Sequence, residues 1–259
     1  MTAFFDYPKS AAFGRVVPKT KIYEHAGANT ALKDLFVREV DQIVWRFKLA
    51  PETINLSATK SVTEIQVFSI SLKTGKLDEG VLRAIDKAIP FPLIFDLTYG
   101  GKRKAMAAFK RPSEADSMKW VISEYFATDW APEDTARAPL PVALNLGALY
   151  EGILGAILSA QAGQQDDVAA TGFGEMPQAA FTHAPDVPRN SLVDWPIADR
   201  IARIEAIRAK TREVERIKAR LAREKQFNKR VAINAELRAA KLELERLTGA
   251  TAQPAATSE

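Results

Sequence analysis

The sequence predicts an α+β fold in which a mostly antiparallel sheet packs with helices, followed by a long C-terminal helical coiled-coil arm. Over residues 1–160, helical and strand periods succeed each other in the order α-β-α-β-β-β-α, which is typical of this class. Small, polar, proline and glycine residues without a sustained period indicate a flexible linker over 161–195. Residues 196–248 are charged and contain neither glycine nor proline after Pro196, as expected of a helical arm, and 249–259 is predicted to be a disordered tail.

The first elements are predicted from periodicity and caps. A short strand is expected at 19–24. The helix that follows begins at Asn29 or Thr30, whose side chains suit a helix N-terminus, and it ends before Pro51. Its apolar residues recur at spacings of three and four: Leu32, Leu35, Phe36, Val40, Ile43, Val44 and Phe47.

The segment TEIQVFSISLK, residues 63–73, is a predicted strand whose apolar alternation changes parity at Phe68–Ser69. Because side chains alternate between the two faces of a strand, either both faces are buried or a bulge interrupts the pairing. A short helix is predicted over residues 78–89, where apolar residues return to helical spacing.

Two strands are predicted over residues 92–111, joined by a tight turn at Gly100–Gly101, since glycine accepts the positive φ angles of a type I′ turn. A further strand is predicted over 119–130. The most apolar part of the chain, 142–160, is interrupted by polar residues and rich in glycine and alanine, which favours a buried helix over a membrane span.

The arm over 196–248 carries apolar stripes that change direction on the helical wheel near residues 222–231. Two geometries are compatible with this change. The chain turns near Gln226–Asn228 and its two halves pack as an antiparallel hairpin, or one continuous helix, about 78 Å long at 1.5 Å per residue, changes partners midway.

The stretch REKQFNKRVAINAELR, residues 223–238, places four residues where a coiled-coil seam prefers leucine: Gln226, Phe227, Asn228 and Asn234. Polar residues in a seam fix register at a cost in stability. One interpretation is a self-associating coiled coil with a register-setting interruption. The other is a docking point for a different protein, in which Phe227 is the anchor and Asn228 and Asn234 contribute.

Composition excludes several classes of chemistry. The 259 residues include no cysteine, which excludes disulfides, thiolate metal sites and cysteine nucleophiles and suits the cytoplasm. We find no secretory signal at the N-terminus and no phosphate-binding glycine loop. His25 and His183 are the only histidines, and no cluster of metal-ligand residues has suitable spacing, so neither a metal nor another cofactor is expected.

A metal-dependent nuclease would need convergent carboxylates and a lysine to hold Mg²⁺ and activate water. The nearest pattern, Asp41 with Glu64 and Gln66, lacks the lysine, and Asp41 falls in a predicted helix. Asp96, in the apolar strand LIFDLTY, must be paired or protonated if it is buried. A nuclease or other DNA-acting enzyme, with Glu64 or Asp96 as its carboxylate, is therefore the alternative to a non-catalytic role.

Basic residues cluster in two places and suggest contacts with nucleic acid, although solvated lysine and arginine faces have the same pattern. The net charge is +4, yet residues 197–248 alone carry 15 basic and 8 acidic side chains. The candidate phosphate-binding residues are Lys102, Arg103, Lys104, Lys110 and Arg111 in the predicted β-hairpin, and Arg223, Lys225, Lys229 and Arg230 in the arm, beside Arg216, Lys218 and Arg220.

Several segments in order resemble a bacterial family known as domain of unknown function forty-three ninety-one. They are KIYEHAG, VDQIVWRFKLAPETINL, TEIQVFSISLK, AIDKAIPFPLIFDL, AAFKR and EKQFNKRVAINAELRAAKLELERL, which together extend over residues 19–247. The resemblance supplies no catalytic residues. It implies that genes of this family lie beside genes for DNA methyltransferases and helicases, in loci resembling restriction and anti-phage defence systems.

These observations together predict a cytoplasmic accessory subunit of a DNA-processing assembly rather than an enzyme. A helicase or a methyltransferase protein is the partner that the resemblance implies. The apolar stripes of the arm predict self-association through the C-terminal helix, and its basic residues predict contact with nucleic acid. No membrane contact is expected.

Overall fold

A computed structural model describes residues 3–113, 116, 119–170 and 196–249. These fall into two compact units, one that ends with residue 170 and one formed by residues 196–249. The predicted linker therefore lies outside the described residues from residue 171 onward, as do His183 and the tail from residue 250.

The first unit is built on a seven-stranded mixed sheet that is mostly antiparallel, in agreement with the predicted class. Six strands form its path in the order β2-β3-β4-β5-β6-β7, and β8 pairs with one end of β6. The strands are β2 (Ala12–Val16), β3 (Val40–Leu49), β4 (Ile65–Leu72), β5 (Leu93–Tyr99), β6 (Lys102–Pro112), β7 (Trp120–Ala127) and β8 (Ala131–Pro132). Two further short strands, β1 (Phe5–Asp6) and β9 (Ala138–Pro139), pair with each other in parallel.

Three helices of this unit share a core with the sheet: α1 (Lys19–Ala26), α2 (Thr30–Glu39) and α4 (Glu79–Ala88). The core includes Phe36, Phe68, Leu82, Ile85 and Phe95, each at most 1% exposed. Helix α4 connects β4 to β5, which are the parallel pair, because parallel neighbours need a crossover connection. A single helical turn, α3 (Pro51–Ile54), follows β3.

The strand predicted at 19–24 is wrong, because these residues form helix α1. Pro18 precedes the first helical residue, and Gly27 closes the helix in the left-handed conformation, with φ +61° and its N–H bonded to the carbonyl of Tyr23. A glycine at this position is a common helix terminator because it has no Cβ to clash. Only Ile22 of the helix is fully buried, so the apolar pattern available to the sequence was weak.

The long helix predicted to begin at Asn29 or Thr30 and to end before Pro51 is correct at its start and wrong at its end. The Asn29 side chain accepts the Leu32 N–H, as expected of a cap, but α2 ends at Glu39 and β3 begins at once. The register of β3 against β4 shifts twice, so apolar residues occur at both parities and imitate a helical period. Lysine side chains supply the donors that the end of α2 lacks: Lys19 Nζ donates to the carbonyls of Phe36 and Val40, and Lys73 Nζ to that of Val37.

The strands over 63–130 are confirmed. Seven of the eight residues of β4 are buried, so the change of parity reflects burial on both faces. Gly100 and Gly101 join β5 to β6 with φ +55° and +72°, as the predicted turn requires. The helix predicted over 142–160 is α5 (Leu146–Ala170), whose buried residues recur at helical spacing. It begins later than predicted and includes residues 161–170, so the linker prediction is wrong for those ten residues. No helix of the described residues is long and apolar enough to cross a membrane.

The second unit is an antiparallel helical hairpin, which decides between the two geometries left open by the sequence. Helix α6 (Ile197–Arg223) and helix α7 (Phe227–Gly249) are separated by residues 224–226. Arg220 pairs with Glu236 at 3.1 Å near the turn, and Arg203 donates to the carbonyl of Leu247 at the opposite end. The seam consists of Val214, Ile217, Leu221, Ile233, Leu237, Ala240 and Leu244.

Candidate interaction surfaces

The acidic residues considered for a nuclease do not converge. Antiparallel pairing puts Val40 opposite Leu72 and Leu49 opposite Ile65, so Asp41 and Glu64 lie at opposite ends of the β3–β4 pair. They are about eight residues apart along the strands, so at about 3.3 Å per residue their separation is roughly 26 Å. Asp41 lies on a strand rather than on the predicted helix.

Glu64 has partners that sequence spacing did not reveal. Its Oε1 accepts from Gln66 Nε2 at 2.5 Å, and Lys48 Nζ lies 3.3 Å from its Oε2 and 2.7 Å from Glu52 Oε1. Strand β3 thus provides the lysine that the local pattern lacked. The described residues nevertheless contain no group of three metal-ligand side chains, and the exposed His25 belongs to no such group.

Asp96 is paired with Arg103, its neighbour across the β5–β6 turn. Arg103 Nη2 donates to Asp96 Oδ2 at 2.6 Å, and the guanidinium carbon lies 4.7 Å from the Phe4 ring centre. Arg103 is 3% exposed, and the Asp96 side chain is 23% exposed. Burial raises the pKa of Asp96, while the charges of Arg103 and Arg137 oppose this shift. The pair explains how an acid is accommodated in this apolar strand.

A second buried pair, Lys110 with Asp86, was not predicted. Lys110 Nζ lies 3.5 Å from Asp86 Oδ1 and donates to the carbonyls of Asp86 and Ile89, at the C-terminal end of α4. Tyr125 donates its hydroxyl to Asp86 Oδ2. In the sequence, the only sign that Asp86 is buried is its position next to Ile85 in an amphipathic helix. That position did not identify Lys110 as its partner.

Burial dominates the chemistry of this pair. It raises the pKa of Asp86 to about 6, against the opposing influence of Lys110 and of the Tyr125 hydrogen bond. It also lowers the pKa of Lys110, against the attraction of Asp86. A lysine at this position supplies donors to the last carbonyls of a helix and interacts favourably with its dipole.

These pairs change the interpretation of the basic β-hairpin. Arg103 and Lys110 are buried and engaged with carboxylates, so they do not face solvent as phosphate-binding residues would. Lys102 is exposed, and Lys104 and Arg111 are half-buried. The five cations therefore do not form one exposed patch.

The residues singled out at the middle of the arm lie at the tip of the helical hairpin. Phe227 opens α7 and is 78% exposed. Asn228 and Asn234 are also exposed, so they lie outside the seam of the hairpin, contrary to the expected seam positions, and so does Gln226. Arg223, Lys225, Lys229 and Arg230 are all exposed.

The two helices of the hairpin present different chemistry to solvent. On α7, the exposed apolar residues Phe227, Val231 and Leu242 lie within about 60° of one another and about 140° from the seam. We call them the α7 stripe. On α6, Arg216, Arg220 and Arg223 lie within about 60° on the side away from the seam. We call them the α6 arginine row.

Two open concavities accompany these surfaces. A groove of about 410 Å³ at the hairpin tip is lined by Arg220, Arg223, Glu224, Lys229, Ala232 and Ile233. A cleft of about 660 Å³ in the first unit is lined by residues of α3, of the 140–143 segment and of the N-terminal segment, and Glu52 is the only charged residue among them. The cleft lacks the convergent titratable groups that general acid–base catalysis requires.

Comparison with models of protein families gives a match. A family model described as "Domain of unknown function (DUF4391)" matches residues 5–244, which covers most of both units. Neither the curated proteins nor the solved structures contain a match.

Proposed function

The chain belongs to the DUF4391 family, and we propose that it is a non-catalytic accessory subunit that docks onto another protein through its helical hairpin. The observation that carries this proposal is the α7 stripe. Phe227, Val231 and Leu242 are 78%, 54% and 66% exposed, although the same helix buries a complete second stripe in the seam. A helix that is apolar on two sides is typical of one that packs against two neighbours.

The surroundings of the α7 stripe favour a different protein over a second copy of this chain. Arg238 lies within the arc of the stripe and Lys241 beside it, and both are exposed. Between Phe227 and Leu242 the only acid is Glu236, which lies off the stripe and pairs with Arg220. A second copy docked through the same face would bring these cations together. A partner surface with an apolar centre and acidic edges would complement them.

The first unit supports the non-catalytic part of the proposal. Its buried acids serve as partners of cations within the fold, as Asp86 does for Lys110 and Asp96 for Arg103. Lys110 and Asp86 have their partners within the fold, whereas Asp96 Oδ1 and the Nε and Nη1 of Arg103 are buried without a hydrogen-bond partner. Among the described residues, neither acid belongs to a group of three metal-ligand side chains, as a metal-dependent reaction would require.

The partner that we propose is a helicase or a DNA methyltransferase, in a restriction or anti-phage defence assembly. The support is the gene neighbourhood that the family resemblance implies, together with the shape of the second unit. A two-helix hairpin can dock one helix face in a groove of a larger enzyme.

The test is binding to the helicase or the methyltransferase encoded beside a gene of this family, measured by interferometry with purified proteins. Phe227→Ala should weaken the complex about 30-fold, since an aromatic anchor that fills a partner's pocket contributes ~2 kcal/mol or more. Leu242→Ala should weaken it less. Val142→Ala is the control, because Val142 is also an exposed apolar residue, at 104%, but belongs to the first unit. The proposal would be contradicted if the variant with both Phe227→Ala and Leu242→Ala bound as tightly as the wild-type protein. It would also be contradicted if neither enzyme bound the wild-type protein.

A further inference from the structure

Charge is distributed unevenly along the hairpin. Residues 216–231, which form the end of α6, the turn and the start of α7, contain seven basic residues and one acid, a net charge of +6. The remaining hairpin residues, 197–215 and 232–248, contain eight basic residues and seven acids, a net charge of +1. Nearly all the net positive charge of the arm is therefore concentrated at residues 216–231, which we call the tip.

The tip cations are exposed, and most are not neutralised by the fold. Lys218 pairs with Glu215 at 2.6 Å, and Arg220 with Glu236 at 3.1 Å. In the part of the chain that the structure describes, the others form no ion pair; they are Arg216, Arg223, Lys225, Lys229 and Arg230. Away from the tip, Lys210 pairs with Glu213 and Arg246 with Glu243. Within the described residues, Arg238 and Lys241 farther along α7 are also exposed without an ion pair, so the tip is distinguished by the number of its unpaired cations, five of seven.

The single acid of the tip is also engaged. Glu224 Oε1 accepts the backbone N–H of Gln226 at 2.8 Å, which closes the turn. Glu224 lines the tip groove together with Arg220, Arg223 and Lys229, and Ala232 and Ile233 contribute apolar surface. Arg220 is paired with Glu236 and Glu224 already has a donor, so Arg223 and Lys229 leave the groove net positive, which attracts anions.

We propose that the hairpin tip binds the phosphate backbone of nucleic acid through the α6 arginine row together with Lys225 and Lys229. The arginines extend along the helix for about 10 Å at 1.5 Å per residue, rather than forming a compact cluster. Such a row matches a ligand with regularly spaced charges, and guanidinium groups suit phosphate geometry. The exposed amides of Gln226 and Asn228 add donors beside the row. This site uses a different helix face from the α7 stripe, so it goes beyond the proposed protein docking.

The contact we infer is independent of base sequence. The row consists of arginines with neighbouring lysines, and lysine and arginine contacts to phosphate carry no sequence information. With four or five phosphate contacts, the logarithm of the binding constant should fall against the logarithm of salt concentration with a slope of about −4. Sequence independence also suits an accessory subunit, whose enzyme partner would supply any sequence recognition.

The experiment is fluorescence anisotropy of the full-length protein with a labelled 20-base-pair DNA duplex, titrated at several salt concentrations. Arg216→Gln with Arg223→Gln should weaken binding at low salt by at least about tenfold and reduce the salt slope by about two. The matched control is Arg238→Gln with Lys241→Gln, which removes the same charge from α7 and should change affinity by less than about twofold. All four residues are exposed, so far-UV circular dichroism and thermal melting should be unchanged.

Three results would overturn this inference. The first is no binding of the duplex at low salt. The second is equal weakening of duplex binding by the two double variants, which would show that binding depends on the net charge of the arm and not on the α6 arginine row. The third is polyglutamate binding with the same affinity and the same dependence on Arg216 and Arg223, which would make an acidic protein surface the ligand of the row. Phe227→Ala with Leu242→Ala should leave duplex binding intact, so this test and that of the proposed docking can fail independently.

Discussion

Two basic stretches that look alike in the sequence differ in the exposure of their basic side chains. GGKRK and FKR, between residues 100 and 111, and REKQFNKR, residues 223–230, each combine lysine and arginine with turn-forming or aromatic residues. In the first, Arg103 and Lys110 are buried and paired with Asp96 and Asp86. In the second, every cation is exposed. A cluster of basic residues thus indicates a binding surface only where the fold exposes those residues to solvent.

The difference arises from the elements that carry the two stretches. Strand β6 lies inside the sheet between β5 and β7, and helix α5 packs against it, so its buried polar residues need partners within the fold. The hairpin tip is the end of two helices, where side chains away from the seam project into water. The same residue types therefore stabilise the fold in one region and remain available to a ligand in the other.

The largest effect that would test this contrast is expected at Lys110. Lys110→Met keeps the aliphatic volume but removes the charge that compensates Asp86 and the donors to the carbonyls of Asp86 and Ile89. Loss of one member of a buried pair costs roughly 3–5 kcal/mol of unfolding free energy. Urea denaturation followed by circular dichroism measures it.

The double variant Lys110→Met with Asp86→Asn sharpens the test. Because the uncompensated charge is gone, the double variant should be more stable than Lys110→Met alone by about 1–3 kcal/mol. A loss below about 1 kcal/mol for Lys110→Met would show that Lys110 reaches solvent, and the contrast between the two stretches would then fail.

Arg103 should have the next largest effect. Arg103→Met leaves Asp96 without its partner, but the Asp96 side chain is 23% exposed and can recover some hydration. We therefore expect a loss of about 2–3 kcal/mol, at the low end for a broken buried pair. Lys102→Met, at the exposed neighbouring position, is the control and should change stability by less than about 0.5 kcal/mol. Equal effects at the two positions would contradict the assignment of one cation to the core and the other to the surface.

A smaller effect is expected from pH. The pKa of Asp86 is raised to about 6 in the folded protein from an ordinary value of 3.8, so the native state holds this proton more tightly than the unfolded state does. The contribution to stability is present at low pH and is lost as pH rises through about 6. Between pH 4 and pH 7, the wild-type protein should lose about 2 kcal/mol relative to Asp86→Asn, which does not titrate at this position. Denaturation of both proteins across this range would show a constant difference if Asp86 were ordinary.

The elements that the sequence predicted well are those with one dominant period. The helix beginning at Leu146 buries residues at helical spacing, β4 is apolar on both faces, and Gly100–Gly101 has a conformation that few other residues adopt. The failures share a physical cause. Residues 40–49 carry a bulged strand whose shifted register imitates a helix, and residues 19–26 form a helix with one buried side chain.

What the sequence by itself determined is the class of the fold, the central strands and their glycine turn, the apolar stripes of the arm and the excess of positive charge near its middle. Only the tertiary structure decided that the arm turns back at residues 224–226, that Lys48 meets Glu64, and that Lys110 and Arg103 are buried. The reason is that periodicity reports which side of an element is apolar, whereas the fate of a charge depends on which distant residue is brought beside it. Asp86 and Lys110 are 24 residues apart in the chain, and no local pattern encodes their meeting.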